Sequence, residues 1–369
     1  TLQTICFLQQ LKNEGRLDKA KALIIVPVGL LQNWMNEFSK FASGLSVSIY
    51  HGLSRDLSDF KNDVLLTTYS VIRKDFVKIN AMPWESVIID EAQNIKNKNT
   101  AQSKAIRSIS AKTNIALSGT PVENRLMEFW SIMNFCNPGL LGNEKNFSEN
   151  FERPIQESGD AECAARFRKI TAPFLLRRLK SDKAIISDLP DKLEQNEWAA
   201  LMPSQAALYN QTLENALKCI NECGTDDSKQ IFKRKGLILQ MILALKQICN
   251  HPAQFLKNKE CPPELSGKTE MLLELLQSIL DSGEKVLIFT QFAEMGALLQ
   301  KMITDKLKAS TLFYHGGVPL KRRVEITDAF EKNPADKILI LSLKAGGTGL
   351  NLTAASQVIH FDLWWNPAV

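Results

Sequence analysis

Residues 87–93 read VIIDEAQ, and the fold is decided there. Val87, Ile88 and Ile89 follow one another with no polar alternation, the pattern of a strand buried on both faces of a parallel sheet. Asp90 and Glu91 fall where that strand ends. Ligands of open α/β sheets collect at the carboxyl ends of the strands, so two acids at that edge stand where chemistry is done. Adjacent carboxylates on a strand end point different ways. One can join a magnesium shell while the other orients or deprotonates a water, a division that suits nucleotide hydrolysis. Negative charge is also favoured where a following helix opens, so the pair taken alone leaves a purely solvated reading open.

Composition narrows the classes. The chain has 369 residues, 44% hydrophobic and 23% charged, enough for two domains with real cores and unlike a fibre or a tail. Lys and Arg number 45 against 40 Asp and Glu, a formal charge of +5. Any nucleic-acid binding must therefore come from local clusters rather than a globally basic surface. The apolar runs 22–28 and 237–245 are well short of the ~20 residues a membrane span needs, and no secretory signal opens the chain, so no membrane partner is expected. Seven cysteines are scattered without a CxxC pair. Cys219 and Cys223 lie four apart with no histidine or second pair nearby, so buried thiols in a reducing compartment are expected rather than a metal site.

Residues 1–11, TLQTICFLQQL, put apolar side chains at Leu2, Ile5, Leu8 and Leu11, the spacing of a helix under way. A helix opening in Thr-Leu-Gln-Thr ordinarily follows a G-x-x-x-x-G-K-[ST] phosphate loop; on that reading Thr1 is the loop's last residue, the hydroxyl that meets magnesium. A leading threonine can equally mean nothing. A strand at 22–28, stopped by Pro27 and Gly29, leads to a helix at 30–41 and a second strand at 46–50. A third strand, 63–69, carries Thr67, Thr68 and Tyr69 at its end, ahead of Arg73 and Lys74. Strand and helix alternating through short turns give a doubly wound parallel sheet. Past the acids, a helix at 103–109 and a strand at 114–117 end in Ser118-Gly119-Thr120-Pro121, which sets small donors beside the same edge.

Residues 22–38 (ALIIVPVGLLQNWMNEF), DEAQ at 90–93, SGTPVEN at 118–124 and LLRRLKSD at 175–182 resemble the first motor lobe of the Swi/Snf-like DNA translocases, ATP-driven, double-strand-tracking relatives of the superfamily-two helicases. The likeness runs nearly end to end. It implies an α/β fold of two RecA-like parallel-sheet lobes with a helical insertion between them: a first lobe at 1–136, helical protrusions and linker at 137–265, and a second lobe at 266–369. It implies Asp90 as a magnesium ligand, Glu91 as the water-activating carboxylate, and Gln93 as a link between nucleotide and lobe interface, where many members carry histidine. Thr1 matches the last position of the family's phosphate loop, whose glycine and lysine have no counterpart in this sequence.

From about residue 137 to 267 the strand pattern gives way to helical periods, with Leu208, Leu213 and Leu217 in one segment and Leu237, Met241, Leu245 and Ile248 in the next. Basic residues bunch there: Arg166, Arg168 and Lys169; Arg177, Arg178 and Lys180; Lys233, Arg234 and Lys235. These read as solvated faces, DNA phosphate contacts or braces. Residues 224–228 and 261–263 read as a turn and a linker, and His251, before a proline, as structural. Ser266-Gly267-Lys268-Thr269 lacks the upstream glycine and preceding strand of a phosphate loop.

The second α/β unit has a helix at 268–280 and strands at 285–290, 312–314 and 337–341, the last followed by SLKAGGTGLN at 342–351. Three glycines in four positions let a backbone approach a ligand closely. With ASQVIHF at 355–361 and DLWWNP at 362–367, this unit resembles the family's second lobe. The resemblance implies that Gly346, Gly347 and Gly349 shape a turn serving nucleotide and DNA, with Ser342, Lys344 and Asn351 as phosphate contacts and Trp365 against a sugar-phosphate edge. Leu343 departs from the family's usual hydroxyl residue. The family's final motif, with arginines that reach the γ-phosphate, would lie beyond residue 369, and the sequence as it stands is expected to hydrolyse ATP negligibly.

The leading expectation is an ATP- and magnesium-dependent motor on double-stranded DNA that strips or remodels DNA-bound proteins. Closure of the two lobes on ATP would alternate a grip by Thr68, Tyr69 and Arg73 with one by the glycine turn. A noncatalytic DNA-binding scaffold and a strand-separating or restriction-associated helicase are the competing readings. A monomeric motor is expected, in nucleoid-associated cytoplasm or, in a eukaryote, the nucleus.

Overall fold

In the computed structural model, which describes residues 1–52, 55–119, 125–178, 193–223, 228–258, 260–346 and 350–364, the apolar runs of the sequence become strands of two parallel sheets. The chain divides into two compact units, Thr1–Lys192 and Leu193–Trp365. The helical stretch after residue 137 is thus shared between them.

In the first unit β1 (Lys21–Val26), β2 (Val47–Tyr50), β3 (Val64–Thr68), β4 (Trp84–Ile89) and β5 (Ala111–Ala116) lie in the order β2-β3-β1-β4-β5. Side chains alternate across the sheet, and both faces are covered. Leu23, Ile25, Val87 and Ile89 point to one side, where they meet α3 (Tyr69–Asn80), α4 (Ala101–Arg107) and α5 (Leu126–Cys136). Ala22, Ile24, Val26 and Ile88 point to the other, against α1 (Leu2–Asn13) and α2 (Leu31–Phe41). Every position of β4 is buried, the polar Glu85 and Ser86 as well as the apolar run 87–89. The register aligns the strand ends: Ile25 pairs with Ile89 and with Thr67, and Ile89 with Ala116. Val26, Thr68, Asp90 and Leu117 therefore open onto one edge.

Several boundaries differ from the sequence expectation. Tyr69 does not end β3; Thr68 is extended (φ −117°, ψ 157°) and Tyr69 begins α3. β5 starts three residues earlier than expected, because Lys112 and Thr113 hide its pattern on a half-exposed strand. Beyond α5, an aromatic cluster of Phe129, Trp130, Phe147 and Phe167 gathers the short helices of residues 143–171 into a satellite core.

In the second unit β6 (Val286–Thr290), β7 (Thr311–Tyr314), β8 (Ile338–Ser342) and β9 (Gln357–His360) lie in the order β7-β8-β6-β9, again all parallel. Val286, Ile288, Ile338 and Ile340 face the helices Gly267–Asp281 and Ala293–Leu307; Leu287, Leu339 and Leu341 face the helix Leu320–Lys332. The helices Pro203–Asn221 and Ser228–Asn250 pack on each other. Cysteine burial is less uniform than expected: Cys163 and Cys261 are buried, but Cys6 and Cys219 are exposed. Among the described residues no helix is long and apolar enough to cross a membrane.

Candidate functional site

The ladder continues past β4 and fixes the acidic turn. The Asp90 amide donates to the Ile25 carbonyl at 2.9 Å, Leu117 to Ile89 at 2.8 Å, and Ala92 back to Leu117 at 2.9 Å. The Tyr69 hydroxyl donates to the carbonyl of Asp90 at 2.5 Å and lies 3.4 Å from that of Glu91. Pinned on both sides, Glu91 adopts a left-handed conformation (φ 52°, ψ 57°), which a residue with a Cβ rarely takes. Such strain amounts to about 1–3 kcal/mol and persists where surrounding contacts over-determine it. It separates the two carboxylates.

Asp90 is bound through both oxygens. Its Oδ1 accepts the amide of Glu91 at 2.8 Å, and its Oδ2 accepts the indole N–H of Trp34, a buried residue of α2, at 2.9 Å. Glu91 Oε2 accepts the side-chain amide of Gln93 at 2.7 Å, and Gln93 Oε1 accepts the hydroxyl of Ser118 at 3.0 Å. Burial pushes the Glu91 carboxyl above its ordinary value; the Gln93 hydrogen bond opposes this and the neighbouring Asp90 charge adds to it. A half-buried carboxyl with a raised proton affinity, oriented by an amide, suits a general base.

Thr1 belongs to the same edge by the run of α1. Lys12, near the helix's end, bonds Asp63 at 2.6 Å, and Arg16, just beyond it, bonds Glu85 at 2.6 Å. Asp63 precedes β3 and Glu85 sits at the start of β4, so α1 ends at the amino edge of the sheet. Twelve residues at ~1.5 Å per residue return about 18 Å, close to the length of a six-residue strand at ~3.3 Å per residue. Thr1 therefore stands toward the carboxyl edge, exposed, its side chain making no capping bond. A hydroxyl and a carboxylate with a lone pair left on each oxygen are hard donors. Magnesium takes one or two such ligands alongside water and phosphate oxygens, so this donor set fits it.

The polymer candidates differ in accessibility. Arg73 lies exposed on α3, whereas Thr68 is 2% and Tyr69 5% exposed, the former bonded to Ser70 and the latter to the acidic turn. In the second unit Ser342 ends β8, buried, in register with Thr290; Lys344 and Asn351 are exposed. The chain leaves Ser342 not in an open glycine turn but in one helical turn, Leu343–Gly346. A Cβ on Gly346 would meet Leu341 Cδ2 at 2.9 Å, so packing on the sheet already calls for glycine there. Gly347, Gly349 and Trp365 lie outside the described residues, as do residues 120–124, 179–182 with Lys180, and 224–227.

The model of the SNF2-related domain matches residues 1–254, and that of the helicase conserved C-terminal domain matches residues 267–369. The chain belongs to the SNF2 family. It is 41% identical to Bacillus subtilis YwqA, named for ATP-dependent helicase/translocase activity, over all of this chain and 40% of YwqA. It is 31% identical to the ISWI chromatin-remodeling complex ATPase ISW2 of Saccharomyces cerevisiae, over all of this chain and 34% of ISW2. It thus spans well under half of these relatives. Among solved structures, the Sulfolobus solfataricus SWI2/SNF2 ATPase core in complex with dsDNA is 42% identical, with a TM-score of 0.50, covering 99% of this chain and 75% of that one.

Two features of this SNF2 chain escaped sequence reasoning. Trp34 reads as one more apolar position of an amphipathic helix, and nothing local says that its N–H reaches an acid 56 positions on. Asp362 reads as part of a terminal motif. It is buried and gathers the Gln291 amide at 2.6 Å, the Thr290 hydroxyl at 2.7 Å and the Asn250 amide at 2.9 Å, joining the loop after β6 to the end of the helix Ser228–Asn250.

Proposed function

We propose that the protein is an ATP-dependent motor that moves on double-stranded DNA and remodels or displaces proteins bound to it. The observation that carries this reading is the chain Ser118–Gln93–Glu91 beside Asp90 at one sheet edge. It sets two carboxylates on adjacent residues, one oriented by an amide and the other anchored separately by an indole, an arrangement that suits a base beside a metal ligand.

Asp90 and Thr1 would hold magnesium, which neutralises phosphate charge and polarises the transferred group when bound. Glu91 takes the proton of the attacking water. Gln93 keeps the Glu91 oxygen turned toward the edge and links it to Ser118, at the mouth of the loop after β5. Parts 1–136 and 266–369 act as the two motor lobes and 137–265 as their helical elaboration.

The partner is double-stranded DNA, as in the complex of the Sulfolobus relative. Arg73, Lys344 and Asn351 are exposed polar ends suited to phosphate. Phosphate contacts carry no base information, so binding is sequence-tolerant and strongly salt-dependent. Work on DNA places the protein with the nucleoid, or in the nucleus of a eukaryote, as a monomeric motor.

The test is ATP hydrolysis by the full-length protein, since residues 1–369 alone are expected to turn over negligibly, with duplex or single-stranded DNA. Stimulation by duplex supports the motor. Stimulation by single strands alone favours a strand-separating helicase, and duplex binding without hydrolysis favours a scaffold.

A further inference from the structure

We propose that Trp34 is a positioning residue for Asp90, through which helix α2 sets the geometry of the metal-binding carboxylate. The proposal rests on the reading of Asp90 as a magnesium ligand.

Trp34 is 1% exposed and packs in the core beneath the sheet, its ring 5.9 Å from that of Phe38. An indole has one donor and no acceptor, so a buried one needs a partner. Two other indoles of the chain show the ordinary solution. Trp84 donates to the Ile79 carbonyl at 2.8 Å, and Trp130 to the Gly142 carbonyl at 3.1 Å. Trp34 instead donates to a carboxylate oxygen, Asp90 Oδ2, at 2.9 Å. A charge-assisted bond of this kind is stronger than one between neutral groups.

With the Glu91 amide on Oδ1, the indole on Oδ2 removes the carboxylate's freedom to rotate about its Cβ–Cγ bond. It leaves one lone pair of each oxygen for a cation. Groups that orient a metal ligand in this way typically govern affinity or activity by about 10- to 100-fold. Their carrier matters too. α2 starts five residues after β1 ends, and the Asp90 amide is bonded to β1 at Ile25. The side of α2 turned away from the indole carries the exposed Gln32, Asn36 and Lys40, so Trp34 alone of these links the helix to the acidic turn.

The experiment uses the full-length protein with Trp34→Phe, which keeps an aromatic ring but no donor, and Phe38→Leu, which loosens the same core without touching Asp90. Free magnesium is titrated against ATP hydrolysis, and the Trp34 indole N–H resonance is followed while magnesium and a non-hydrolysable ATP analogue are added. The proposal expects Trp34→Phe to raise the half-saturating magnesium by about 10-fold or more, with a smaller change in the KM for ATP at saturating magnesium. It expects Phe38→Leu to lower the thermal midpoint without that shift, and the indole resonance to move on metal addition in the unsubstituted protein but not in Asp90→Asn. An unmoved resonance, or an equal magnesium shift in Phe38→Leu, overturns it, and the resonance decides even if Trp34→Phe fails to fold. If Asp90→Asn itself leaves the magnesium dependence intact, the assignment of Asp90 as ligand fails first, whatever Trp34 does.

Discussion

Gln93 donates to Oε2 of Glu91 at 2.7 Å while its own carbonyl oxygen accepts Ser118 Oγ at 3.0 Å, so the amide has only one orientation that satisfies both neighbours. That fixes the Glu91 carboxyl in a half-buried position where burial raises its proton affinity and Gln93 partly restores the anion. Gln93 thus tunes the base as well as aiming it.

A pH profile of ATP hydrolysis tests this tuning. Activity requires ionised Glu91, so the rate rises with pH through its ionisation, and the acid limb stands above the ordinary glutamate value of ~4.3. Gln93→Ala removes the hydrogen bond that favours the anion, so the limb moves to still higher pH. Glu91→Gln abolishes the limb and lowers the rate by about 10²–10⁴-fold, the usual contribution of a positioned base. Retained nucleotide binding in that variant separates lost chemistry from lost structure.

Tyr69 gives a second test. Its hydroxyl is buried against the carbonyls of Asp90 and Glu91, and burial together with those two carboxylates raises its proton affinity, so it stays a neutral donor across the working pH range. Tyr69→Phe should therefore slow hydrolysis, by about 10-fold on the general scale of lost orienting bonds, and leave duplex affinity unchanged. A fall in affinity with unchanged turnover would assign Tyr69 to DNA instead.

Sequence and structure agree most where the chain leaves least choice. Residues 87–89, which close β4, and residues 338–341 of β8 are unbroken apolar runs, and a run buried on both faces reads as a parallel strand without help. The acids at the end of β4 follow from that reading. β5 is only half visible because Lys112 and Thr113 interrupt its run, and Tyr69 looks like strand because an aromatic after two threonines has strand propensity. The left-handed Glu91 carries no glycine to announce it; tertiary bonds from Tyr69 and Leu117 impose it. His251 is legible as structural but not in its partners: Nδ1 accepts the Ala253 amide at 3.0 Å and Nε2 meets the Pro262 carbonyl at 3.0 Å. Trp34 on Asp90 could not be read at all, since periodicity reports that a side chain is buried and never which distant acceptor it finds.

The opposite edge of the first sheet yields a stability prediction. The Glu85 side chain is wholly buried, with Arg16 Nη2 at 2.6 Å and Lys112 Nζ at 2.8 Å. The Lys112 hydrogen bond, and then that of Arg16, hold its carboxyl below the ordinary value against the opposing effect of burial. A depressed carboxyl stabilises the fold above its unfolded value of ~4.3 and loses that contribution as pH falls through the folded value. Glu85→Gln turns an amide N–H toward a cation and should destabilise by about 1–3 kcal/mol near neutrality. Urea unfolding across the acid range should show the variant's midpoint lower at neutrality and less steeply dependent on acid. Parallel curves would mean the triad is not the titrating element.

Arg73 offers the sharpest separation of polymer from nucleotide. It is exposed on α3, four positions beyond the tyrosine that braces the acidic turn, so one helix bears a cation on its surface and an anchor at its buried start. If Arg73 meets a phosphate, Arg73→Ala weakens duplex binding alike on unrelated sequences. It also reduces the slope of log affinity against log salt by about 1. Basal hydrolysis without DNA should stay unchanged, because the Asp90 and Glu91 contacts are intact, while the DNA concentration needed for stimulation rises. Titrating two duplexes of different sequence at several salt concentrations checks all of this. An unaltered slope would move the phosphate contact off this helix, and a sequence-dependent loss would mean that Arg73 reads base edges rather than backbone.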